Sequence, residues 1–505
     1  MINNLSSPEQ IIELINNQQL TLALSALEQL IKATPKNADL WSLQAIIYAK
    51  SNEWLKAKES LQQALAIEPG NPVFHNNLSN VYRKLQDLDS AKAHILQSLE
   101  IKPNKAETWN NYANILYTQA LYAPAQESYS KAIRLGPGQV EPIINLANCC
   151  VKLNEPIRAV EHYKSALALQ PDNLSVKQNL AMCYVSLKDY VAAKDLLAEA
   201  VEHNPQAAML TYYYAESLLD TGDKDLALKM YERALELDAS QHTWQHNLAV
   251  LYLRERNYPK AKLHFSAALK LEPNNPTAQH ILRALGETNI ASYDSSQYVS
   301  DLFDQYAFYY DKHVRENLEY QVPHLLRQAI NLELEQAQIN TTLNILDLGC
   351  GTGIAGIVFR DLAKVQVGVD LSKQMLYRAL EQNAYEALIQ ANINLSLPGE
   401  GQKFFDIALA ADVLVYLEDL EEIFINVANT LASQGLFAFT IELAPTDFKN
   451  TENSILQPSG RFAHNPTYIE DLSKRHNFNI KQQQTINLRK NANEYIQGIL
   501  YILQI

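Results

Sequence analysis

Residues 344–353 read NILDLGCGTG, an apolar strand that runs directly into a turn with three glycines. The stretch IAGIVFRDLA at 354–363 predicts a helix, and VQVGVDLS at 365–372 predicts a second buried strand that ends in Asp370. A strand, a glycine turn, a helix and a strand with a terminal acid form the first half of a doubly wound parallel sheet, which binds its ligand beyond the carboxyl ends of the strands. The sequence therefore predicts an α/β domain here, with a ligand site at the glycine turn.

The spacing of the glycines separates two classes of cofactor. Dinucleotide-binding turns carry G-x-G-x-x-G, which directs a helix N-terminus at a pyrophosphate. Here the spacing is G-x-G-x-G, preceded by Asp347. This motif resembles that of the class I S-adenosylmethionine-dependent methyltransferases, and the resemblance implies S-adenosyl-L-methionine as the cofactor. Asp370 is then expected to accept hydrogen bonds from the ribose hydroxyls.

The rest of the second half agrees with this family in the order of its elements. The stretches FDIALAADVLVYL (405–417) and GLFAFTIE (435–442) predict two further strands, and 466–478 predicts a helix. The segments NIKQQQTINLRK and YIQGILYILQI predict the closing antiparallel hairpin that marks this fold. The resemblance implies a Rossmann-like, seven-stranded methyltransferase domain over residues 301–505.

The same resemblance implies which residues contact the cofactor. Met375 is placed to pack on the adenine, and Asn392 stands where these enzymes often carry Asp, keeping an acceptor for the adenine amino group. Cys350 is interpreted as a backbone contact within the glycine motif rather than a nucleophile. The predicted cofactor-binding residues are Asp347, Gly349, Cys350, Gly351, Gly353, Asp370, Leu371, Met375, Asn392, Ala411 and Tyr310.

A run of aromatic residues precedes the glycine motif. Tyr306, Tyr309 and Tyr310 lie together in a stretch with helical apolar spacing. One interpretation is that they belong to a packed core, and the other is that they form a lid over the cofactor pocket. The segment FDQYAFYYD also resembles the N-terminal lid of small-molecule methyltransferases.

Methyl transfer is an in-line displacement at a sulfonium carbon, so the protein mainly positions and desolvates the reactants. The reaction requires no metal or covalent nucleophile, and a general base is needed only for an acceptor that carries a proton. The catalytic candidates are Asp412, Tyr416 and His464. For each there is a structural alternative: Asp412 as a helix cap or structural hydrogen bond, Tyr416 as core, and His464 as an ordinary loop residue.

The first half of the chain is a repeat with a period of 34 residues. Small residues recur on this grid at Ala57 and six later positions, and a period in this range is typical of stacked helical units. Proline ends the second helix of every unit but the one with Ala239 at this position, because proline lacks an N–H and disfavours helix in the preceding residue. The prolines on the grid are Pro35, Pro69, Pro103, Pro137, Pro171, Pro205 and Pro273.

This pattern resembles the tetratricopeptide repeat. It implies an all-helical solenoid over 1–286, with about eight repeats and a capping helix near 276–286. The polar stretch 287–300 has no sustained periodicity and predicts a linker between the two domains. As a whole, the chain resembles predicted bacterial methyltransferases that carry tetratricopeptide repeats.

Asparagines recur at the sixth residue of successive repeats. Primary amides both donate and accept, so a row of them can pair with the backbone of an extended peptide whatever its sequence. The row resembles the one that lines the superhelix of nucleocytoplasmic O-linked N-acetylglucosamine transferases. The alternative is that Asn suits an exposed helical position or bonds a neighbouring repeat. The predicted groove residues are Asn77, Asn80, Asn111, Asn114, Asn145, Asn148, Asn179 and Asn247.

Composition and charge limit the classes of partner. The net charge is −14, of which −3 falls on 1–290 and −11 on 291–505, so a generic nucleic-acid surface is not expected. The four cysteines do not form a disulfide scaffold or a zinc site by their spacing. With neither a signal peptide at the start nor an apolar run long enough for a membrane span, a cytoplasmic location is expected.

Three functions are compatible with these features. The first is a protein methyltransferase whose solenoid recruits a protein or peptide substrate through the asparagine-lined groove. The second is a small-molecule methyltransferase in which the repeats serve localisation or assembly. The third is a non-catalytic scaffold that binds only the cofactor. The sequence does not identify the methyl acceptor.

Overall fold

The computed structural model describes residues 7–287, 295–307, 310–311, 318–395, 397, 401–444, 452–491 and 494–505. The chain forms two compact units, Met1–Asp238 and Ala239–Ile505. The second unit therefore contains the last helices of the repeat as well as the predicted α/β domain. Within the predicted linker 287–300, a helix begins at Ser295, and residues 288–294 lie outside the described part of the chain.

The first unit is built from paired antiparallel helices. From α3 on, the first helices of the pairs begin at residues 34 apart, as the sequence period predicts. The helices are α1 (Pro8–Asn16), α2 (Leu20–Ala33), α3 (Ala38–Lys50), α4 (Trp54–Ile67), α5 (Pro72–Lys84), α6 (Leu88–Ile101), α7 (Ala106–Thr118), α8 (Tyr122–Leu135), α9 (Val140–Lys152), α10 (Pro156–Leu169), α11 (Leu174–Ser186), α12 (Tyr190–His203), α13 (Ala208–Asp220) and α14 (Lys224–Leu237).

The small residues of the repeat lie where the paired helices approach each other. The alanines of the series that starts at Ala57 have no exposed surface, and large residues such as Tyr129 and Tyr163 are buried beside them. A larger side chain at these positions would push the helices apart, because the interaxial distance depends on the residues at the contact. The predicted solenoid is confirmed by this packing.

The turn between the two helices of a repeat also follows the period. It contains a residue with a left-handed backbone, at φ 60° in Asn52 and φ 58° in Ala120. The equivalent residue is a glycine only at Gly222, with φ 90°. The left-handed backbone costs a non-glycine residue roughly 1–2 kcal/mol, so packing of the two helices must compensate at the other turns.

The second unit begins with repeat helices and continues into a mixed sheet. Its helices are α15 (His242–Arg254), α16 (Tyr258–Leu271), α17 (Pro276–Ala284), α18 (Ser295–Tyr306), α19 (Val322–Gln336), α20 (Ile354–Phe359), α21 (Lys373–Glu381), α22 (Glu421–Thr430) and α23 (Pro466–Arg475). Its strands are β1 (Leu343–Leu348), β2 (Ala363–Asp370), β3 (Ala387–Gln390), β4 (Phe405–Ala410), β5 (Leu431–Leu443), β6 (Ser454–Leu456), β7 (Phe462–His464), β8 (Asn479–Asn491) and β9 (Glu494–Gln504).

Seven of these strands form the predicted sheet. The order is β3-β2-β1-β4-β5, followed by β9 and β8, in which β1 to β5 are parallel and β9 runs antiparallel to β5 and β8. The short strands β6 and β7 form an additional antiparallel pair, and β7 also pairs with the end of β5. The closing hairpin predicted from the sequence is confirmed, whereas β6 and β7 were not predicted.

The sheet buries apolar side chains on both faces. Along β4, Ile407 and Leu409 pack in one core with α19, while Ala408 and Ala410 pack in the other with α22. Strands buried on both faces read as continuous apolar runs, which explains the sequence of β4. This packing fixes the carboxyl ends of β1, β2 and β4 at one edge of the sheet.

Candidate functional site

The glycine turn after β1 has the backbone that its sequence requires. Gly349, Gly351 and Gly353 adopt φ angles of 65°, 54° and 91°. A Cβ atom on Gly349 would lie 2.5 Å from the Val413 side chain, so this position has no room for one. A Cβ on Gly351 would meet nothing within 4 Å, so this part of the turn borders open space.

Asp370 lies at the end of β2, and its carboxylate connects the turn to the next helix. One oxygen accepts a hydrogen bond from the Gly351 N–H at 2.9 Å, and the other from the Ser372 N–H at 2.8 Å. Burial raises the pKa of Asp370 to about 6, and the two backbone donors oppose this increase. The carboxylate is thus fixed in orientation beside the open part of the turn.

Asp347 is a second buried acid, located in β1 just before the turn. Its Oδ2 accepts a hydrogen bond from the Tyr385 hydroxyl at 2.6 Å. Burial raises the pKa of Asp347 to about 7, although the Tyr385 hydrogen bond favours the ionised form. The sequence did not single out Tyr385, since nothing local connects it to a strand 38 residues earlier.

Most of the predicted cofactor-binding residues border one cavity of about 200 Å³ at this edge of the sheet. The cavity wall combines the glycine turn with the ends of β2, β3 and β4 and with helix α18. Of the residues predicted from the sequence, the wall contains Gly349, Gly351, Asp370, Leu371, Met375, Asn392, Ala411, Tyr310, Asp412 and Tyr416.

The other predicted residues lie outside this wall. Asp347 and Cys350 border a smaller neighbouring cavity of about 30 Å³, which also contains Tyr310 and the turn. Gly353 begins α20 with a left-handed backbone and does not line either cavity. Burial raises the pKa of the Cys350 thiol well above its ordinary value, so the sulfur is protonated and is a poor nucleophile.

Helix α18 covers one side of the larger cavity. Val299 and Phe303 line the wall, and the Phe303 ring lies 5.2 Å from that of Tyr416 in an edge-to-face arrangement. The Asp304 carboxylate accepts hydrogen bonds from the Ser372 hydroxyl at 2.5 Å and the Gln374 N–H at 3.2 Å. The helix is therefore attached to the start of α21.

The tyrosines that precede the glycine motif differ in their surroundings. Tyr310 lines the cavity, where burial raises the pKa of its phenol above the ordinary range. Tyr306 is 37% exposed, and its ring lies 6.5 Å from that of Tyr310. Tyr309 lies outside the described residues. The position of Tyr310 in the cavity wall agrees with the interpretation of this segment as a lid.

Asp412 follows β4 and belongs to a buried ionic network. Its two carboxylate oxygens lie 2.8 and 3.0 Å from Nη1 of Arg489. The other terminal nitrogen of Arg489 donates to Glu442, and Arg489 and Glu442 are each only 4% exposed. Asp412 also has a left-handed backbone, with φ 57°, and its N–H donates to the Thr440 hydroxyl. Both oxygens of the Asp412 carboxylate are thus paired with the Arg489 guanidinium.

Tyr416 lies in the 3₁₀ turn Leu414–Tyr416 and borders the cavity. Its hydroxyl accepts a hydrogen bond from Nε of Arg461 at 3.1 Å. The guanidinium carbon of Arg461 lies 5.6 Å from the centre of the Tyr416 ring. This pair of residues joins the β6–β7 turn, which contains Arg461, to the cavity wall, which contains Tyr416.

His464, the third catalytic candidate, is buried apart from the cavity. It lies in β7 with no exposed surface and does not line the cavity. Its Nε2 lies 3.0 Å from the carbonyl oxygen of Leu417, and its buried Nδ1 has no hydrogen-bond partner in the described chain. Burial lowers the pKa of His464 to about 4, against the opposing effect of the Leu417 carbonyl. A neutral imidazole that donates to a backbone carbonyl is a structural contact.

The predicted groove asparagines of the first unit contact one another across repeats. Nδ2 of Asn111 donates to Oδ1 of Asn76 at 2.9 Å, and Nδ2 of Asn145 donates to Oδ1 of Asn110 at 3.3 Å and of Asn114 at 3.2 Å. Part of their bonding capacity is therefore used within the protein, as the structural alternative expects.

The same asparagines also border open cavities. One cavity contains Asn77, Asn80, Asn111 and Asn114, and another contains Asn148 and Asn179. Asn247 lies on α15, in the second unit. An asparagine that bonds a neighbouring repeat through one atom still presents its other atoms to a cavity, so the two interpretations are compatible.

Comparison with known families agrees with this architecture. Residues 346–439 match a methyltransferase domain family. Three tetratricopeptide repeat families match the first half, at 48–115 and 155–215, at 9–72, 189–242 and 214–278, and at 106–138. The prediction of tetratricopeptide repeats followed by a methyltransferase domain is confirmed by these matches.

Two curated proteins are similar to the second half. A probable S-adenosylmethionine-dependent methyltransferase, CRG1 of Saccharomyces cerevisiae, is 30% identical over 129 residues, which are 24% of this chain and 44% of that protein. The malonyl-[acyl-carrier protein] O-methyltransferase of Pseudescherichia vulneris is 28% identical over 142 residues, 28% of this chain and 52% of that protein. The chain spans about half the length of these relatives.

The repeats are also similar to parts of solved structures. The crystal structure of YrrB, described as a tetratricopeptide repeat protein with an unusual peptide-binding site, is 20% identical. It covers 38% of this chain and 98% of its own, with a TM-score of 0.35.

Proposed function

We propose that this chain, in which tetratricopeptide repeats precede a methyltransferase domain of the S-adenosylmethionine-dependent type, methylates a protein or peptide that the repeats recruit. The observation that carries the enzymatic part is the single cavity that contains the glycine turn, Asp370, Met375 and Asn392. The glycine turn, Asp370 and Asn392 lie at the ends of three different strands, where the doubly wound fold binds its ligands, and Met375 lies in the helix that follows Asp370.

The residues present fit this cofactor. S-adenosylmethionine supplies an electrophilic methyl group on a sulfonium, and it carries a second positive charge on its amino group. Asp347 and Asp370 are buried carboxylates whose pKa values are raised by burial. A cationic ligand favours the ionised form of such groups, and the open side of Gly351 leaves space for one.

The cavity wall suggests how the chain's own residues assist transfer. Val299 and Phe303 of α18 exclude water from one side, and Tyr416 presents an aromatic ring to the cavity. Asp412 has both oxygens directed at Arg489, so we assign it to holding the wall rather than to removing a proton. His464 is assigned a structural role, because it is buried outside the cavity.

The recruitment part of the proposal is supported by the asparagine-bordered cavities of the first unit. Amide groups that face a cavity can pair with the N–H and C=O groups of an extended chain. A substrate segment held by the repeats would have a raised effective concentration at the methyltransferase domain of the same chain. Recruitment of this kind requires no particular acceptor atom.

The proposal is tested in two steps. Calorimetry of the full chain with S-adenosylmethionine should show binding that Asp370→Ala weakens strongly. A lysate incubated with the cofactor labelled on its methyl group should then show label in macromolecules, and less of it when Asn77 and Asn80 are both replaced by Ala. No heat from the cofactor, or label confined to small molecules, contradicts the proposal.

A small-molecule acceptor is the second candidate. The cavity of about 200 Å³ is partly covered by α18, which favours a compact acceptor over a bulky one. In that case the labelled product is small, and groove substitutions leave the rate of transfer unchanged. If the cofactor binds and no label is transferred under any condition, the chain acts as a scaffold that only binds the cofactor.

A further inference from the structure

A cavity of about 390 Å³ borders the first helices of successive repeats in the first unit. Its wall contains three cationic side chains, Lys50, Arg83 and Lys84, and one acidic side chain, Glu141. None of the three cations forms an ion pair with any residue that the structure describes. The cavity wall therefore carries more positive than negative side chains, in a protein whose net charge is −14.

Arg83 is the unusual member of its repeat position. Its Nε is buried and has no hydrogen-bond partner among the described residues. A buried donor on a charged group is unfavourable unless an acceptor reaches it, so this position is arranged for an external acceptor. The other repeats have no arginine at this position. The equivalent residues are Ala49, Tyr117, Val151, Val185, Leu219 and Leu253.

Asn80 lies one helical turn before Arg83 and also lacks a partner. In the next two repeats, the equivalent asparagines accept a hydrogen bond from a tyrosine, Asn114 from Tyr129 at 2.7 Å and Asn148 from Tyr163 at 2.5 Å. At Asn80 the corresponding residue is Ile95, which has no hydroxyl. Oδ1 of Asn80 is accordingly buried without a donor in the described chain.

The two unpartnered atoms are a donor, Nε of Arg83, and an acceptor, Oδ1 of Asn80. Nε of Arg83 requires an acceptor, and the charge around it favours a carboxylate. Oδ1 of Asn80 requires a donor, which a peptide N–H supplies. A chain segment with an acidic side chain provides both groups within a few ångströms of each other, whereas a free anion provides only one.

We propose that this cavity binds an aspartate or glutamate side chain within an extended polypeptide, through Arg83 and Asn80. The inference rests on the proposed binding of a polypeptide in the groove, and adds a preference for acidic sequence. The asparagines continue beyond the cavity at Asn145, Asn148 and Asn179. An internal acidic residue of a chain that passes through is therefore favoured over a terminal carboxylate.

The test begins with a library of random peptides displayed on phage with a blocked C-terminus, selected on the full chain. We expect Asp or Glu to be enriched at one position of the selected peptides. The control selection uses Arg83→Gln, and a second control uses Arg134→Gln, which removes the same charge from an exposed site on α8. The enrichment should disappear only in the Arg83→Gln selection.

The strongest peptide is then synthesised with both ends blocked and measured by fluorescence anisotropy. Replacing its acidic residue by the amide should weaken binding about tenfold, since a charge-assisted hydrogen bond is lost. Arg83→Gln should produce a similar loss, and the two changes together should cost little more than either alone. Thermal unfolding verifies that Arg83→Gln remains folded.

The outcomes separate this inference from the function on which it rests. Selected peptides without an acidic residue, or peptides that need a free terminal carboxylate, overturn the acidic preference and leave peptide recruitment intact. Peptides that bind Arg83→Gln as tightly as the parent also overturn it. If no peptide is enriched at all, both this inference and recruitment by the groove fail, while cofactor binding is measured independently.

Discussion

Nε2 of His280 lies 2.8 Å from the carbonyl oxygen of Gly460. His280 belongs to α17, the capping helix of the repeats, and Gly460 lies in the turn between β6 and β7. The imidazole also stacks on Tyr298 of α18, with ring centres 4.0 Å apart. Within the second unit, one side chain thus connects the end of the repeats to α18, which lines the cavity, and to the β6–β7 turn, whose Arg461 contacts Tyr416 of the cavity wall.

His280→Ala should destabilise the second unit by about 1–3 kcal/mol, because the Gly460 carbonyl loses its donor in a buried site. His280→Gln is the matched control, since its amide can still donate although it cannot stack on Tyr298. The measurement is the thermal transition that the cofactor shifts upward, which identifies the methyltransferase unit. If both variants unfold at the same temperature as the parent, the contact between His280 and Gly460 does not stabilise the second unit.

The features that the sequence predicted correctly depend on patterns within one short stretch of the chain. The glycine turn and Asp370 belong to one strand–turn–helix–strand stretch, and that order of elements places the acid beside the turn, as the hydrogen bond from Gly351 to Asp370 shows. The period of 34 residues similarly predicted where α3 to α17 begin, because each repeat packs only on its neighbours.

Contacts between distant segments were not predictable from the sequence. Arg489 meets Asp412 and Glu442 only because β9 places β8 beside the end of the sheet, and 77 residues separate Arg489 from Asp412. His464 looked like a loop residue since GRFAH has no strand periodicity, yet it pairs in β7. The last repeats belong to the second compact unit although their sequence continues the same period.

Binding of S-adenosylmethionine should strengthen as the pH rises from about 5 to about 7.5. Burial raises the pKa of Asp370 to about 6, so at lower pH the acid is protonated and a cationic ligand must displace the proton. For one group the affinity falls by at most about tenfold per pH unit below its pKa. Calorimetry in two buffers of different ionisation enthalpy counts the protons released on binding.

Asp370→Asn is the decisive variant for that measurement. It removes the titration near pH 6 and should reduce the number of released protons there, leaving the smaller contribution of Asp347, whose pKa burial raises to about 7. The stability of the free protein changes in the opposite sense. Since both folded pKa values are raised, the free energy of unfolding should fall as the pH rises from about 4 to about 7.

The asparagines of the groove should separate into structural and binding residues. Asn111→Ala removes the hydrogen bond to Asn76, which is 1% exposed, and should cost about 1 kcal/mol of stability. Asn80→Ala should cost less, because its Oδ1 has no partner in the described chain. Chemical denaturation of the two variants provides the comparison, and a larger loss for Asn80→Ala would contradict the assignment.

Arg489→Met should be the most destabilising of these substitutions, because it removes the cation that is hydrogen-bonded to both buried carboxylates, Asp412 and Glu442. Breaking a buried pair in this way costs about 3–5 kcal/mol. Arg233→Met is the control, since Arg233 and its partner Glu236 are 42% and 66% exposed and exposed pairs contribute about 0–1 kcal/mol. Adding Glu442→Gln to Arg489→Met should recover part of the loss, as one buried charge is removed. A double variant no more stable than Arg489→Met would show that lost packing, and not the unpaired charge, destabilises the protein.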